Sequence, residues 1–239
     1  MKTVTISKNP SGKYFVSLLV EINQEFPCKP VIKEETTIGI DLGLKDFATL
    51  STGEKIPNPR HLKKSLKKLK YRHYNVSRKQ KGSKRRGRAR IQLARAYEKV
   101  KNQRDDFLHK LSYRLTHDNQ VDTICMEDLN IQGMVKNHKL AQSISDVSWS
   151  RFVEFVKYKC DRYGKNLFQI GRFEPSSKMC TCGNINNDLT LKDREWTCKS
   201  CGTTHDRDIL SAQNIKRFGL IRLHSVPWEA RESTLRETA

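Results

Sequence analysis

The 239-residue sequence has no long apolar run, which excludes a helix that spans a membrane. No segment contains the roughly 18 consecutive apolar residues that such a helix requires. The first segment, MKTVTISKNPSGKYF, has no apolar stretch of the kind that signal peptides carry. Hydrophobic residues make up only 36% of the chain. We therefore expect a cytoplasmic protein with one sizeable core and a small appended region.

Acidic residues are almost missing from one basic segment. Residues 60–104 contain 19 lysines and arginines but a single acid, Glu98, so this segment carries +18 of the chain's net charge of +20. A surface that only faces water normally mixes both signs of charge. The segment therefore predicts a polyanionic partner, DNA or RNA. An acidic membrane surface is the weaker alternative, because large apolar residues opposite the charge are lacking. The side chains expected to contact nucleic acid are Lys63, Lys67, Arg78, Lys84, Arg85, Arg86, Arg88 and Arg90.

The hydrophobic pattern predicts an α/β fold with a mixed sheet. Two β-rich runs around the turn sequence NPSG predict an amino-terminal hairpin, and TIGIDL, DFATL and EKIPNP predict three further strands. Two basic helices follow: the first packs through three leucines, Val76 and His73, and the second begins near Arg88. A strand (TICME), a loose loop, a helix, a strand (NLFQI), a cysteine-rich insert and a last helix complete the chain. This order matches an RNase H-like fold.

Three acidic residues lie at the ends of predicted core elements. Asp41 interrupts an apolar strand, Glu127 ends the strand TICME, and Asp208 opens the last helix. An unpaired buried carboxylate is costly, and a divalent cation such as Mg²⁺ or Mn²⁺ would remove that cost. Two such ions about 4 Å apart can stabilise both oxygens of a phosphodiester displacement. Taken singly, the three could instead be a turn residue, a strand-end carboxylate and, at Asp206 or Asp208, a helix cap.

The glycines two residues to either side of Asp41 also carry an expectation. A glycine within a strand often marks a place where another backbone approaches closely. Gly39 and Gly43 are therefore expected to leave room for a nucleic-acid backbone beside the carboxylate.

The late cysteines have the spacing of a metal-binding ribbon. Cys198 and Cys201 form a regular C-x-x-C knuckle, whereas Cys180 and Cys182 form a shorter C-x-C. In an extended chain that shorter gap keeps the two side chains apart, so a distorted turn is needed for both to reach one ion. His205 is the alternative fourth ligand. We expect Zn²⁺ here, with a metal-free loop or a disulfide as the alternatives. The cysteines expected only to pack are Cys28, Cys125 and Cys160.

The motifs GIDLGLKDFATLS, MEDLN and CGTTHDRDILSAQNI resemble, in this order, the three RuvC motifs of the TnpB (OrfB) proteins of bacterial insertion sequences. These proteins are compact relatives of the type V CRISPR effector nucleases. The resemblance implies a transposase-family protein of DNA transposition and recombination that acts as an RNA-guided, Mg²⁺-dependent DNA endonuclease. Its implied partners are DNA and a guide RNA.

The same resemblance assigns roles to the three acids. It makes Asp41 the first catalytic carboxylate, Glu127 the second and Asp208 the third, all of them magnesium ligands. The family's motif places an Asn two residues after the third acid, where this sequence has Leu210, so Asp206 remains an alternative. A nucleic-acid-binding protein that does not cut is the alternative function, and an unrelated zinc-ribbon protein without an active site is a third.

The resemblance also divides the chain into parts. The sequence begins about where the family's amino-terminal region would be ending, so we expect an amino-terminally shortened member. The expected parts are a terminal hairpin left from a barrel domain (1–34), a RuvC/RNase H-like core with a basic helical hairpin (35–171, hairpin 60–117), a zinc-ribbon insert that contacts target nucleic acid (172–205), the last RuvC helix (206–218) and a tail (219–239).

Overall fold

The computed structural model describes residues 2–225, apart from 24, 26, 119 and 191. Its strands are β1 (Thr3–Lys8), β2 (Tyr14–Leu19), β3 (Thr37–Leu42), β4 (Asp46–Leu50), β5 (Lys55–Pro57), β6 (Thr123–Glu127), β7 (Asn166–Ile170), β8 (Glu195–Thr197) and β9 (Thr204–Asp206). Its helices are α1 (His61–Ser77), α2 (Lys84–His117), α3 (Ile131–Val135), α4 (Ala141–Val147), α5 (Trp149–Tyr163) and α6 (Arg207–Ser225). The tail expected over 219–239 starts as the end of α6, and 226–239 lie outside the described residues.

Five strands form a mixed sheet in the order β5-β4-β3-β6-β7. β3 is central: it pairs antiparallel with β4 and parallel with β6, and β6 pairs parallel with β7. The parallel step from β6 to β7 runs through α5, as parallel connections require a crossover. The predicted mixed-sheet α/β fold is therefore confirmed.

The apolar runs of the central strands are explained by burial on both faces of the sheet. Ile40 in β3 and Met126 in β6 are fully buried. On the α5 side, the rings of Phe47 and Phe152 meet edge to face at 5.1 Å. This packing fixes the strand ends that carry Asp41 and Glu127.

The chain divides into two compact units, one made from the described residues of 1–25 and 60–111 and the other from those of 26–59 and 112–225. The first unit contains the hairpin β1–β2, which turns at Gly12 with a φ of 89° as the NPSG sequence predicts. Both strands are exposed along their length, and in the described part of the chain they form a two-stranded sheet.

Glu98, the one acid of the basic segment, holds this hairpin turn against α2. Its carboxylate accepts a hydrogen bond from the Ser11 hydroxyl at 3.3 Å and pairs with the Lys13 ammonium at 3.1 Å. The Arg95 side chain donates to the Ser11 carbonyl oxygen at 3.3 Å. The one acid of the basic segment is therefore used to hold the hairpin turn within the same unit.

Several local predictions differ from the structure. His73 was expected on the packed face of α1, but it is exposed and its Nε2 lies 2.6 Å from the Tyr97 hydroxyl of α2. The second basic helix begins at Lys84 rather than near Arg88 because Ser83 caps it, accepting from the Arg86 N–H. The loose loop after β6 contains α3 and α4, which bury few side chains and so give a weak hydrophobic period.

No helix in the described ranges is both long and apolar enough to cross a membrane.

Candidate active site and metal centre

Asp41 and Glu127 lie side by side on neighbouring parallel strands. Ile40 of β3 is in register with Met126 of β6, so the next residue of each strand is one of the two acids. Side chains alternate between the faces of a sheet, so the two carboxylates share the face opposite to Ile40 and Met126. The carboxyl ends of β3 and β6 thus bring two acids together.

Helix α6 covers that same face. Gly39 lies two residues before Asp41, and a Cβ there would collide with the Ala212 carbonyl oxygen and lie 2.7 Å from the Lys216 nitrogen. The prediction that Gly39 leaves room for nucleic acid is therefore wrong, because the space is filled by helix backbone. At Gly43 a Cβ would lie 2.9 Å from the Asp46 carbonyl oxygen, so that glycine serves the β3–β4 turn.

The close approach of α6 sets where Asp208 lies. Asp208 is in the first turn of α6, one turn before the Ala212 carbonyl that contacts Gly39. Further along the helix, Gly219 faces the Cys125 sulfur of β6, and a Cβ there would collide with it. Two glycine contacts therefore seat α6 on β3 and β6, with its first turn towards the acidic strand ends.

The other two carboxylates act electrostatically on Asp41. Burial and, after it, the negative charges of Glu127 and Asp208 raise the pKa of Asp41 to about 7, against smaller effects of a Ser211 hydrogen bond and the Arg207 charge. Burial also raises the pKa of Glu127, with a contribution from Asp128. Raised carboxyl pKa values of this origin, burial plus neighbouring negative charge, are typical of functional sites.

Asp206 and Asp208 have different surroundings. Asp206 accepts hydrogen bonds from the N–H groups of Asp208 and Ile209, as a helix N-cap does, and from the Lys55 ammonium at 2.6 Å. Burial would raise the pKa of Asp206, but these hydrogen bonds outweigh it and lower the pKa. Asp208 instead contacts the Arg194 guanidinium at 3.4 Å and interacts with Asp41. Asp206 is thus occupied as a cap, which leaves Asp208 beside the other two acids.

The four ribbon cysteines come together. The sulfurs of Cys180, Cys182, Cys198 and Cys201 all lie within 4.8 Å of one another, with distances of 3.5 Å from Cys180 to Cys201 and 3.8 Å from Cys182 to Cys198. A tetrahedral site with metal–sulfur bonds of about 2.3 Å has sulfur–sulfur edges of about 3.8 Å. The four sulfurs therefore match the size of one metal ion's ligand set.

A tight turn brings both cysteines of the short C-x-C knuckle to the sulfur cluster. The Gly183 N–H donates to the Cys180 carbonyl oxygen at 2.9 Å, and Gly183 has a φ of 89° that favours glycine. The other knuckle closes in the same way, with Gly202 donating to the Cys198 carbonyl oxygen at 2.9 Å. The chain is turned rather than extended at both knuckles, so one intervening residue suffices in the first.

His205 lies next to this cluster rather than in it. Its Nε2 is 3.0 Å from the Cys180 sulfur, and its ring lies 5.1 Å from that of Trp196. Leu210, which stands where the family motif has Asn, is buried with Trp196 and Cys198 in the apolar core of the ribbon. This leucine therefore attaches the ribbon to the first turns of α6.

The expected nucleic-acid contacts of the basic helices are exposed with one exception. Arg86 is half-buried, and its guanidinium donates to the Lys79 carbonyl oxygen at 3.0 Å, in the turn that connects α1 to α2. The exposed ones are Lys63, Lys67, Arg78, Lys84, Arg85, Arg88 and Arg90. The basic segment thus presents most of its predicted contact residues to solvent.

Among the residues that sequence reasoning missed, two contact the carboxylates and a third, Asn214, joins α6 to the ribbon. Ser211 hydrogen-bonds to Asp41, Arg194 pairs with Asp208, and the Asn214 amide donates to the Ser176 and Met179 carbonyl oxygens at 2.7 Å each. Ser211 and Asn214 lie at intervals of three residues after Asp208, which is the helical spacing that could have indicated them. Arg194 had no such signal, because it reaches the site through the fold of the insert.

Comparison with known proteins places this site in context. A family model described as "Probable transposase" (OrfB_IS605) matches residues 17–138, and a "Cas12f1-like, TNB domain" model matches residues 149–215. A "Putative RNA-guided DNA endonuclease" of Streptomyces pristinaespiralis is 45% identical over 219 residues, 91% of this chain and 53% of the relative. The "Putative RNA-guided DNA endonuclease InsQ" of Escherichia coli K12 is 26% identical over 92% of this chain and 57% of the relative.

A solved structure supports the same fold. The protein of a Cas12f1-sgRNA-target DNA complex superposes with a TM-score of 0.56 at 17% identity, over 89% of this chain and 55% of the other. The chain spans about half the length of the relatives that it matches. Since the probable-transposase model covers just over half of the residues and the motifs and fold agree with it, the chain belongs to the OrfB_IS605 family, the TnpB proteins.

Proposed function

We propose that this protein is an RNA-guided, divalent-metal-dependent DNA endonuclease that acts in transposition. The observation that carries the proposal is a set of three carboxylates, in which Glu127, on the strand beside Asp41, and Asp208, in the first turn of α6, both act on Asp41. The relatives named above support the guided reaction on DNA. In this proposal residues 35–171 and 206–218 form an RNase H-like RuvC core, 1–34 derive from an amino-terminal barrel, and 172–205 are the ribbon that contacts target nucleic acid.

The three acids fit a hard divalent cation. Carboxylate oxygens are the donors that Mg²⁺ and Mn²⁺ prefer, and a bound cation would offset the burial and the neighbouring negative charges that raise the pKa of Asp41. When bound there, such ions supply charge stabilisation to the attacking and leaving oxygens of a phosphodiester. No other group in the site is needed to account for the clustering of carboxylates.

The chain's own residues position and balance these acids. Lys55 and the first N–H groups of α6 hold Asp206, which fixes where the helix begins and therefore where Asp208 lies. The Ser211 hydrogen bond stabilises the ionised form of Asp41. Arg194 brings a positive charge from the ribbon to Asp208. The proposed roles of the helix and the ribbon are thus to orient and partly neutralise the carboxylates.

For the ribbon we propose one Zn²⁺ held by four thiolates, with His205 beside the site as a hydrogen-bond donor to Cys180. The sulfur spacing supports this ligand set. The Cys201 and Ser200 N–H groups lower the pKa of the Cys198 thiol, and Thr203 lowers that of Cys201. Thiolates are the form in which cysteine binds zinc, so these hydrogen bonds favour binding at Cys198 and Cys201. At Cys182 a backbone hydrogen bond from Asn184 acts in the same direction, but the neighbouring thiols outweigh it and raise the pKa to about 11.

Metal analysis tests the ribbon assignment. We expect about one zinc per chain in the purified protein, and its loss in both Cys198→Ser and Cys182→Ser because each removes one of four ligands. His205→Asn and the exposed Cys28→Ser should keep the metal. Full zinc content in Cys182→Ser together with loss in His205→Asn would show instead that the histidine is the fourth ligand.

The guided reaction is tested with RNA from the protein itself. The protein is purified with ribonucleases inhibited, its bound RNA is sequenced, and double-stranded DNA matching that RNA is incubated with Mg²⁺. We expect cleavage of matched DNA and none of DNA with a scrambled match. Bound RNA without cleavage would favour the second candidate, a binding protein that does not cut, which is suggested by Leu210 at the family's Asn position.

A further inference from the structure

One face of α1 carries an exposed stripe of cations and tyrosines. Its members follow one another at intervals of three and four residues and are all exposed, which places them on a single side of the helix. The residues of this stripe are Lys64, Lys67, Tyr71, Tyr74 and Arg78.

The two tyrosines do not serve the core of their unit. Tyr71 is 62% exposed and Tyr74 is 60% exposed. The packed side of the helix is formed by Leu69, which is buried, with Leu66 half-buried one turn earlier. The helix needs neither tyrosine for packing, yet both are exposed one turn apart. Exposed aromatic surface of this kind indicates a partner that covers it.

The surroundings of the rings specify the chemistry of that partner. The Arg78 guanidinium lies 5.4 Å from the centre of the Tyr74 ring, which is a cation–π distance. Tyr74 nevertheless remains largely exposed. Lys64 and Lys67 continue the stripe on its other side, and the whole segment 60–104 has a net charge of +18. The complementary partner is therefore a polyanion that also presents flat aromatic surfaces.

Unpaired nucleotides have both properties. Bases within a duplex are stacked on their neighbours and offer no free face, whereas bases in RNA loops and single strands can stack on aromatic side chains. We propose that Tyr71 and Tyr74 stack on unpaired bases of RNA, while Lys64, Lys67 and Arg78 hold the phosphates on either side. This inference rests on the proposed function, in which the chain carries a guide RNA, and names the part of that RNA that the helix binds.

The test compares nucleic acids and matched variants in the full chain. Dissociation constants are measured at several salt concentrations for a fluorescent single-stranded RNA, the same sequence as single-stranded DNA, and an RNA duplex. Tyr71→Ala/Tyr74→Ala should weaken single-stranded RNA binding about 10- to 100-fold and leave duplex binding within about twofold. Tyr71→Phe/Tyr74→Phe should bind like the wild type, because phenylalanine keeps the stacking face.

Two controls separate stacking from charge. Tyr14→Ala removes a tyrosine of the same unit that is 66% exposed and has Lys8 at 4.8 Å from its ring, and it should change nothing. Lys64→Gln/Lys67→Gln should weaken binding of all the nucleic acids and reduce the salt slope by about 1.4 for the single strands, whereas the tyrosine variants keep the slope.

The outcomes that overturn the inference are distinct from those that overturn the proposed function. Equal losses on single-stranded RNA and duplex, no loss in the alanine variant, or a loss confined to single-stranded DNA would each refute stacking on RNA. Failure of the wild-type chain to bind any RNA would refute the guided nuclease itself.

Discussion

Asp41→Asn is expected to abolish metal-dependent DNA cleavage and at the same time to make the metal-free protein more stable. The cleavage loss follows from the proposed role of Asp41 as a metal ligand, and we expect at least about a thousandfold lower rate. The gain in stability follows from the raised pKa of the Asp41 carboxyl, since asparagine has nearly the same shape but cannot ionise.

The sign and pH range of that gain follow from linkage. The pKa of Asp41 is raised from 3.8 to about 7, so the folded state binds the proton more tightly than the unfolded state does. The stabilisation from the protonated carboxyl is present in full below about pH 4 and is lost as the pH rises through about 7. The shift corresponds to roughly 4 kcal/mol above pH 8, an upper bound for the advantage of Asp41→Asn there.

Urea unfolding curves at pH 4 to 8.5, with chelator and with Mg²⁺, measure this effect. With chelator, the free energies of unfolding of wild type and Asp41→Asn should diverge as the pH rises. Added Mg²⁺ should close the gap by stabilising the wild type alone. Asp106→Asn, which removes an exposed carboxylate paired with Lys110 on the surface of α2, serves as the control and should show neither response. Parallel curves for wild type and Asp41→Asn at all pH values would contradict the raised pKa of Asp41.

Gly39→Ala should have the largest effect on stability of any single methyl group added in the sheet. Its Cβ would collide with the Ala212 carbonyl oxygen in the backbone of α6, which cannot rotate away as a side chain can. We expect a loss of about 3 kcal/mol or more in the free energy of unfolding. Because α6 also carries Asp208, the variant should lose cleavage even under conditions where it remains folded.

A graded series of glycine variants tests this explanation. Gly219→Ala meets the Cys125 side chain rather than backbone, so it should lose less stability, and Cys125→Ala in the same chain should restore part of the loss. Gly87→Ala in α2 has no neighbour within 4 Å and should be neutral or stabilising by up to about 1 kcal/mol. If Gly39→Ala unfolded at the same urea concentration as Gly87→Ala, the close contact between the α6 backbone and Gly39 of β3 would be contradicted.

The sequence predicted the strands and helices better than it predicted the contacts between them. Asp41 and Glu127 stood out because each interrupts or ends an apolar strand, but their adjacency depends on the register of Ile40 with Met126, which no local pattern encodes. Gly39 was correctly seen as a place of close approach, yet the approaching group comes from a helix some 170 residues later in the chain.

Ambiguities at the last helix had the same origin. Asp206 and Asp208 both precede helical residues. They are distinguished by the cap that Asp206 forms and by Lys55, from a distant strand, which pairs with it. The C-x-C knuckle was judged from an extended chain, whereas Gly183 turns it. His73 has the spacing of a core residue, but its ring nitrogen has a hydroxyl partner on α2 and stays near the surface. The first and third of these differences arise from contacts that are distant in sequence, whereas the second arises from a local glycine turn.

The covering of β3 by α6 has a consequence for how the protein is made. Ribosomes add about 5–20 residues per second, so roughly ten to thirty seconds separate the synthesis of Asp41 from that of Asp208. By the later part of that interval the nascent chain carries its basic helices and two of its acids, but the face with Gly39 and Cys125 still lacks its helix. A chain released before residue 207 would therefore keep the means to hold nucleic acid and lack the third carboxylate. In the proposed nuclease, cutting would begin only after the third carboxylate has been made and α6 has covered β3, so that products ending before residue 207 pose no hazard to the DNA of the cell that makes them.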